Sequence, residues 1–194
     1  MINNKTSSGN LPSIASSSSS PSTIVAPLSK LSFLRIEEME EALPEECLPN
    51  LISLRTLYLC KCPLPQGIRY LMALQHLHVW DSEVVDLSND WDEMEWQGLR
   101  TLLSLEFCQL PKLGSLPMGL QYVSSLQKLD IRHCPSLIAI SEWICKLISL
   151  QSLVIRYCPK LESLPERYDA LTSLQTLDIR DCPILLKRYR GRLA

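Results

Sequence analysis

Residues 126–137 read LQKLDIRHCPSL, residues 150–161 read LQSLVIRYCPKL and residues 174–185 read LQTLDIRDCPIL. The three stretches begin 24 residues apart and share Leu-x-x-Leu-x-Ile-x-x-Cys-Pro-x-Leu. A fourth copy opens at Leu102 and keeps the register, with Phe107 and Leu110 in the Ile and Cys positions. Working back, Leu74, Leu77 and Val79 open another unit, as do Leu54, Leu57 and Leu59, and Leu31, Leu34 and Ile36. The intervals from Leu31 are 23, 20, 28, 24, 24 and 24 residues. The short interval arises because Cys62-Pro63-Leu64-Pro65 lacks four residues present between Cys158 and Pro165. The long one is an insertion between Asp81 and Leu102. Seven units result.

Each unit must stack to survive. Leu126, Leu129 and Ile131 are spaced three and then two apart, as where a chain enters a short strand. Leu137, Ile140, Ile144 and Leu147 follow at spacings of three and four, which suit turns, 3₁₀ pieces or a short helix. Roughly seven inward side chains at about 1.5–3 kcal/mol each do not offset about 1–2 kcal/mol of backbone ordering per residue over a whole unit. Neighbours on both flanks change the balance. The period and the pattern are those of leucine-rich repeats. The expected fold is therefore α/β: a leucine-rich-repeat solenoid with a curved parallel β-sheet on the concave face and an irregular, 3₁₀ or short-helical convex side. Leu129, Leu153 and Leu177, with Ile131, Ile155 and Ile179, should form its core columns.

Composition narrows the function classes. The chain is 46% hydrophobic with a formal charge of −2, and its pI near 5.9 gives no drive toward nucleic acid or anionic membrane. No apolar run approaches the roughly 20 residues of a membrane span. The N-terminus, MINNKTSSGNLPSIASSSSS, lacks the basic and then apolar regions of a secretory signal. Residues 1–27, with five consecutive serines from Ser16 to Ser20, cannot bury a core and are expected to be disordered; residues 28–194 form the repeat domain. That first segment has no capping character, so the chain is expected to be a fragment or to have lost preceding repeats.

Four of the eight cysteines, Cys62, Cys134, Cys158 and Cys182, stand eight residues after the opening leucine of their units. Many such repeats place Asn there to bridge backbone groups of adjacent turns. Cysteine replaces it as a small buried group with a weak thiol donor, which argues for reduced, structural thiols and a cytoplasmic chain. Cys60-x-Cys62 is not a zinc spacing, and His76, His78 and His133 share no repeat column; no metal is expected. No phosphate loop, nucleophile elbow, zinc helix or kinase signature is present. The expectation is a non-enzymatic protein with no cofactor and no small-molecule substrate.

Strand residues that alternate with the inward ones face the concave surface. The fifth repeat position reads Arg35, Tyr58, His78, Glu106, Asp130, Val154 and Asp178; the seventh reads Glu37, Cys60, Trp80, Cys108, Arg132, Arg156 and Arg180. The eighth reads Glu38, Lys61, Asp81, Gln109, His133, Tyr157 and Asp181, and is read as part of the same face. Arg132, Arg156 and Arg180 would form a guanidinium ladder on strands about 4.8 Å apart, balanced by Asp130, Asp178 and Asp181 or clamping an acidic partner. Tyr58, His78 and Trp80 form an aromatic cluster of the kind that anchors interfaces. With His133 and Tyr157, these residues make up the candidate partner-binding surface. The insertion from Asp81 to Gly98 holds seven acidic residues, no basic one, and Trp91 and Trp96. It reads as a solvated loop whose tryptophans pack on the solenoid edge or serve in contact.

One combination is narrower than the general repeat. Cys158-Pro159-Lys160-Leu161-Glu162-Ser163-Leu164-Pro165, followed by Leu171-Thr172-Ser173-Leu174-Gln175, resembles the C-terminal repeats of plant intracellular nucleotide-binding leucine-rich-repeat disease-resistance proteins, the coiled-coil class above all. The ending Cys182-Pro183-Ile184-Leu185-Leu186-Lys187-Arg188 is similar to their closing repeat. The resemblance runs over about residues 28–190 and is strongest from residue 99. It implies recognition or autoinhibition in innate immunity, with a pathogen effector, a guarded host protein or other domains of such a receptor as the protein partner. The Gly-x-x-x-x-Gly-Lys-Ser/Thr loop of that family's nucleotide-binding switch is absent, so nucleotide binding is not carried over. The alternative is a general cytosolic scaffold or a ubiquitin-ligase substrate adaptor.

Overall fold

Short strands recur wherever the spacing of apolar residues falls to two. The structure, a computed structural model, describes residues 28–83, 85 and 93–189. Seven five-residue strands appear: β1 (Phe33–Glu37), β2 (Thr56–Cys60), β3 (His76–Trp80), β4 (Ser104–Cys108), β5 (Lys128–Arg132), β6 (Ser152–Arg156) and β7 (Thr176–Arg180). They form one parallel sheet in chain order. Its register joins equivalent residues of every unit, including Leu57 with Leu77, and Leu129 with Leu153 and Leu177. The irregular 20- and 28-residue intervals therefore leave the strands aligned.

Parallel neighbours need a crossover, supplied here by arms containing 3₁₀ turns at Glu45–Asn50, Ile68–Tyr70, Met118–Tyr122, Glu142–Lys146 and Tyr168–Ala170. Pro44 and Pro117 cap two of these turns at φ −57° and −62°. Proline suits that place because its fixed φ matches and no donor is lost. Leu137, Ile140, Ile144 and Leu147 are buried, as the spacing predicts. So are Leu129, Leu153, Ile131 and Ile155. Leu177 and Ile179 are only partly covered, because among the described residues β7 has one strand neighbour. Helix α2 (Pro183–Arg188) packs buried Leu185 at that end.

The acidic insertion departs from a solvated loop. Its described C-terminal part carries helix α1 (Glu93–Gln97), and Trp96 is a core residue with 0% exposure. Burial of so large a side chain outweighs the acidity around it. Gly98 makes the approach feasible, since a Cβ there would stand 2.1 Å from the Arg69 carbonyl oxygen. Trp91 and residues 1–27 lie outside the described residues.

Candidate functional site

The sheet's outward face is built from three columns. The register lines up Arg35, Tyr58, His78, Glu106, Asp130, Val154 and Asp178, and beside them Glu37, Cys60, Trp80, Cys108, Arg132, Arg156 and Arg180. A third column precedes them: Phe33, Thr56, His76, Ser104, Lys128, Ser152 and Thr176. Alternation along each strand places these side chains on one face, opposite the leucines.

The eighth position belongs elsewhere. All seven of its residues adopt positive φ, from Asp81 at 48° to Glu38 and Tyr157 at 57°. This left-handed conformation ends each strand. It costs a non-glycine residue about 1–2 kcal/mol, and a repeated hydrogen bond offsets it. The backbone N–H of Glu38 donates to the Cys60 carbonyl, that of Gln109 to Arg132, that of His133 to Arg156 and that of Tyr157 to Arg180, at 2.9–3.0 Å. His133 and Tyr157 thus stand at the rim, where their rings stack 4.4 Å apart.

The ninth-position cysteines complete the same carbonyls. The thiols of Cys62, Cys134, Cys158 and Cys182 donate to the carbonyls of Cys60, Arg132, Arg156 and Arg180 at 3.0, 3.4, 3.5 and 3.3 Å. Each of those oxygens so receives one N–H from the preceding unit and one S–H from its own, filling both lone pairs. All eight cysteines are free thiols. Hydrogen bonding with Cys134, together with burial and only partly countered by Cys182, pushes the Cys158 thiol up to about 12. Cys182 is raised as well, first by its hydrogen bond with Cys158 and then by burial.

At the N-terminal end the face is aromatic. Tyr58 and His78 stack 4.0 Å apart at 3° between planes, and Phe33 tilts against Tyr58 at 5.5 Å. Phe33 is 51% exposed and Trp80 39%. His78 Nδ1 meets Glu106 Oε2 at 2.8 Å. That contact, aided by Arg132 and Lys128, holds the Glu106 carboxyl below its ordinary range despite partial burial. Phe33 and Lys128, and the place of His76 on this face, escaped the sequence reading, which scored the fifth, seventh and eighth positions. Scoring the third would have found them.

At the C-terminal end the guanidinium ladder is present and internally bonded. Asp130, 1% exposed, receives two parallel bonds from Arg132 at 2.7 and 2.6 Å. Arg156 bonds to Asp178 on the next strand, and Arg180 Nε reaches the other oxygen of Asp178 at 2.8 Å. Asp178 is held below the usual carboxylate range by Arg156 first and Arg180 second. Of the ten candidate residues, Asp130 lies on this face but is buried beneath its neighbours; Trp80, His133, Tyr157 and Arg180 are exposed, and Tyr58, His78, Arg132, Arg156 and Asp178 are half-buried.

No family model matches the chain, and comparison with curated proteins finds no match. Solved structures do resemble it. The leucine-rich repeat domain of the type III effector XopL superposes with a TM-score of 0.57 at 26% identity, over 84% of this chain and 64% of that one. A leucine-rich-repeat protein of Leptospira interrogans superposes with a TM-score of 0.67 at 22% identity, over 84% of this chain and 40% of that one. The fold is a leucine-rich-repeat solenoid. This solenoid spans less than two thirds of either protein. No helix among its described residues is long and apolar enough to cross a membrane.

Proposed function

We propose that this solenoid is a non-catalytic protein-recognition module of a plant intracellular disease-resistance receptor, acting in the cytoplasm through its concave face. The observation that carries recognition is the alignment of aromatic side chains at one end, and arginine side chains at the other, on one face of a seven-stranded hydrogen-bonded sheet. Side chains held on a rigid sheet lose less conformational freedom on binding, and aromatic and arginine residues are the usual energetic anchors. Immunity is supported by the Cys-Pro-x-Leu and Leu-Pro motifs of residues 158–165 and the Leu-x-Ser-Leu-Gln entry at 171–175. In this reading Tyr58, His78, Trp80, Arg132, His133, Arg156, Tyr157 and Arg180 meet the partner, with Asp130 and Asp178 orienting the arginines. Nucleic acid, cofactors and small-molecule substrates have no part in it.

The second reading, a general cytosolic scaffold or ubiquitin-ligase substrate adaptor, is served equally well by the likeness to solved bacterial proteins. Two tests separate them. Coding sequence upstream in the genomic locus supports the first reading if a nucleotide-binding switch lies in frame, and the second if an F-box or no further domain does. Capture from infected plant extract, comparing the native chain with Trp80→Ala and Arg156→Glu, addresses the surface. An unchanged set of bound proteins in both variants rejects the concave-face assignment.

A further inference from the structure

The arginine ladder is one carboxylate short. On β5 Arg132 pairs with Asp130, two residues before it, and on β7 Arg180 pairs with Asp178 in the same way. On β6 the corresponding residue is Val154, so Arg156 has no acidic partner on its own strand. It borrows Asp178 from β7, and its Nε–H makes no hydrogen bond. Three guanidiniums and Lys128 Nζ, 3.7 Å from Asp130, thus share two carboxylates across β5–β7. The adjacent acid of the face, Glu106 on β4, is bonded to His78 and lends its charge to Arg132 and Lys128. Arg156 is thus the arginine of the ladder with no acid on its own strand, and none on the strand before it that is not already paired.

We infer that the Arg132 and Arg156 guanidiniums, where Val154 stands in place of an acid, receive an aspartate or glutamate side chain from an extended segment of a partner protein. The inference rests on the concave-face reading and specifies its chemistry. The neighbouring arginine pair serves as the template: Asp178 bridges Arg156 and Arg180 with one oxygen to each. A partner carboxylate would bridge Arg132 and Arg156 likewise, and a small turn of the Arg156 guanidinium would bring its unbonded Nε–H into the pair. Side-on, two-bond pairing is the strong mode for arginine and carboxylate. Val154 is 7% exposed, so the incoming carboxylate meets the guanidiniums that flank this apolar residue. The stacked rings of His133 and Tyr157, the latter 46% exposed, follow Arg132 and Arg156 directly in the chain.

The test is selection of random peptides displayed on phage against the full chain, followed by affinity measurement on synthetic copies. Selected peptides should share one Asp or Glu, whose replacement by Asn or Gln weakens binding about tenfold, as for loss of a charge-assisted pair. Val154→Asp, which supplies the missing carboxylate internally, should weaken the acidic peptide to the same degree and leave its amide counterpart unchanged. Val154→Asn should retain binding. If Val154→Asp loses its circular dichroism spectrum, Arg156→Gln takes its place with the same expectation. Peptides that are weakened by Trp80→Ala yet carry no required acid overturn this inference and leave the concave-face reading standing. Peptides indifferent to every sheet-face substitution, or none selected, overturn both.

Discussion

The carboxylate of Glu95 pairs with the guanidinium of Arg69, and its other oxygen accepts the Arg69 backbone N–H at 3.3 Å. One acidic side chain thereby fastens α1 to the return arm of an earlier unit, 26 residues away. Arg69 also reaches Glu45 at 2.7 Å and the Tyr70 hydroxyl at 3.0 Å, so it links the insertion to two units of the solenoid.

Removing that fastening should be felt in stability. Glu95 is largely buried, and Glu95→Ala leaves an arginine and a backbone donor short of a partner, an expected loss of about 1–3 kcal/mol. Urea unfolding of Glu95→Ala, Arg69→Met and the double variant measures it. Additive losses in the double variant would show that the two residues do not act on each other.

Trp96→Ala should cost about 3–5 kcal/mol, the range for deleting a large buried aromatic. An insertion that merely lay in solvent would lose under about 0.5 kcal/mol on the same change. Thermal unfolding separates the two outcomes without ambiguity.

The thiol column makes the fold sensitive to alkali. Cys158 holds its proton up to about 12 when folded, against an ordinary thiol near 9. The folded state therefore binds more protons than the unfolded state between those values, and stability falls as pH rises through them. Cys158→Ala should flatten that alkaline decline while lowering stability near neutral pH by about 1–2 kcal/mol. In the native protein at pH 8, iodoacetamide should spare Cys62, Cys134, Cys158 and Cys182, all buried. Mass spectrometry showing these four alkylated before unfolding would contradict the assigned hydrogen bonds.

Acid acts on other groups. Asp178 and Glu106 titrate below the ordinary carboxylate range when folded, so their contribution is present above about pH 4 and is lost as pH falls through the folded values. Asp178→Asn should reduce the slope of stability against pH below about 4. An identical acid limb in that variant would mean the Arg156 and Arg180 contacts contribute nothing.

Strand ends offer a backbone test. Gln109 sits at φ 55°, where Asn is tolerated and a β-branched residue is not. Gln109→Asn should raise stability by about 0.5 kcal/mol, whereas Gln109→Val should lower it by about 1–2 kcal/mol. Equal stabilities in the two variants would show that the position is not constrained.

Much of this molecule was legible in its residues alone. Leu-x-x-Leu-x-Ile is local and periodic, so the seven strands, their register and the buried sides of Leu129, Leu153, Ile131 and Ile155 follow from spacing. The cysteines were legible for the same reason, since their place in the repeat announces a buried donor. Tertiary structure decided the rest. Left-handed φ at the eighth position leaves no mark in composition, because Glu, Lys, Asp, Gln, His and Tyr all stand there; in six of the seven units the following strand's carbonyl accepts the N–H so presented. Trp96 lies in an acidic stretch whose fate depends on a glycine approach to Arg69, far away in the chain. Arg156 pairs with Asp178 of the next strand because Val154 offers it no carboxylate on β6 and stacking brings side chains of adjacent units as close as those two apart on one strand. Periodicity fixes which residues share a column, and only the packed sheet settles which of them bond.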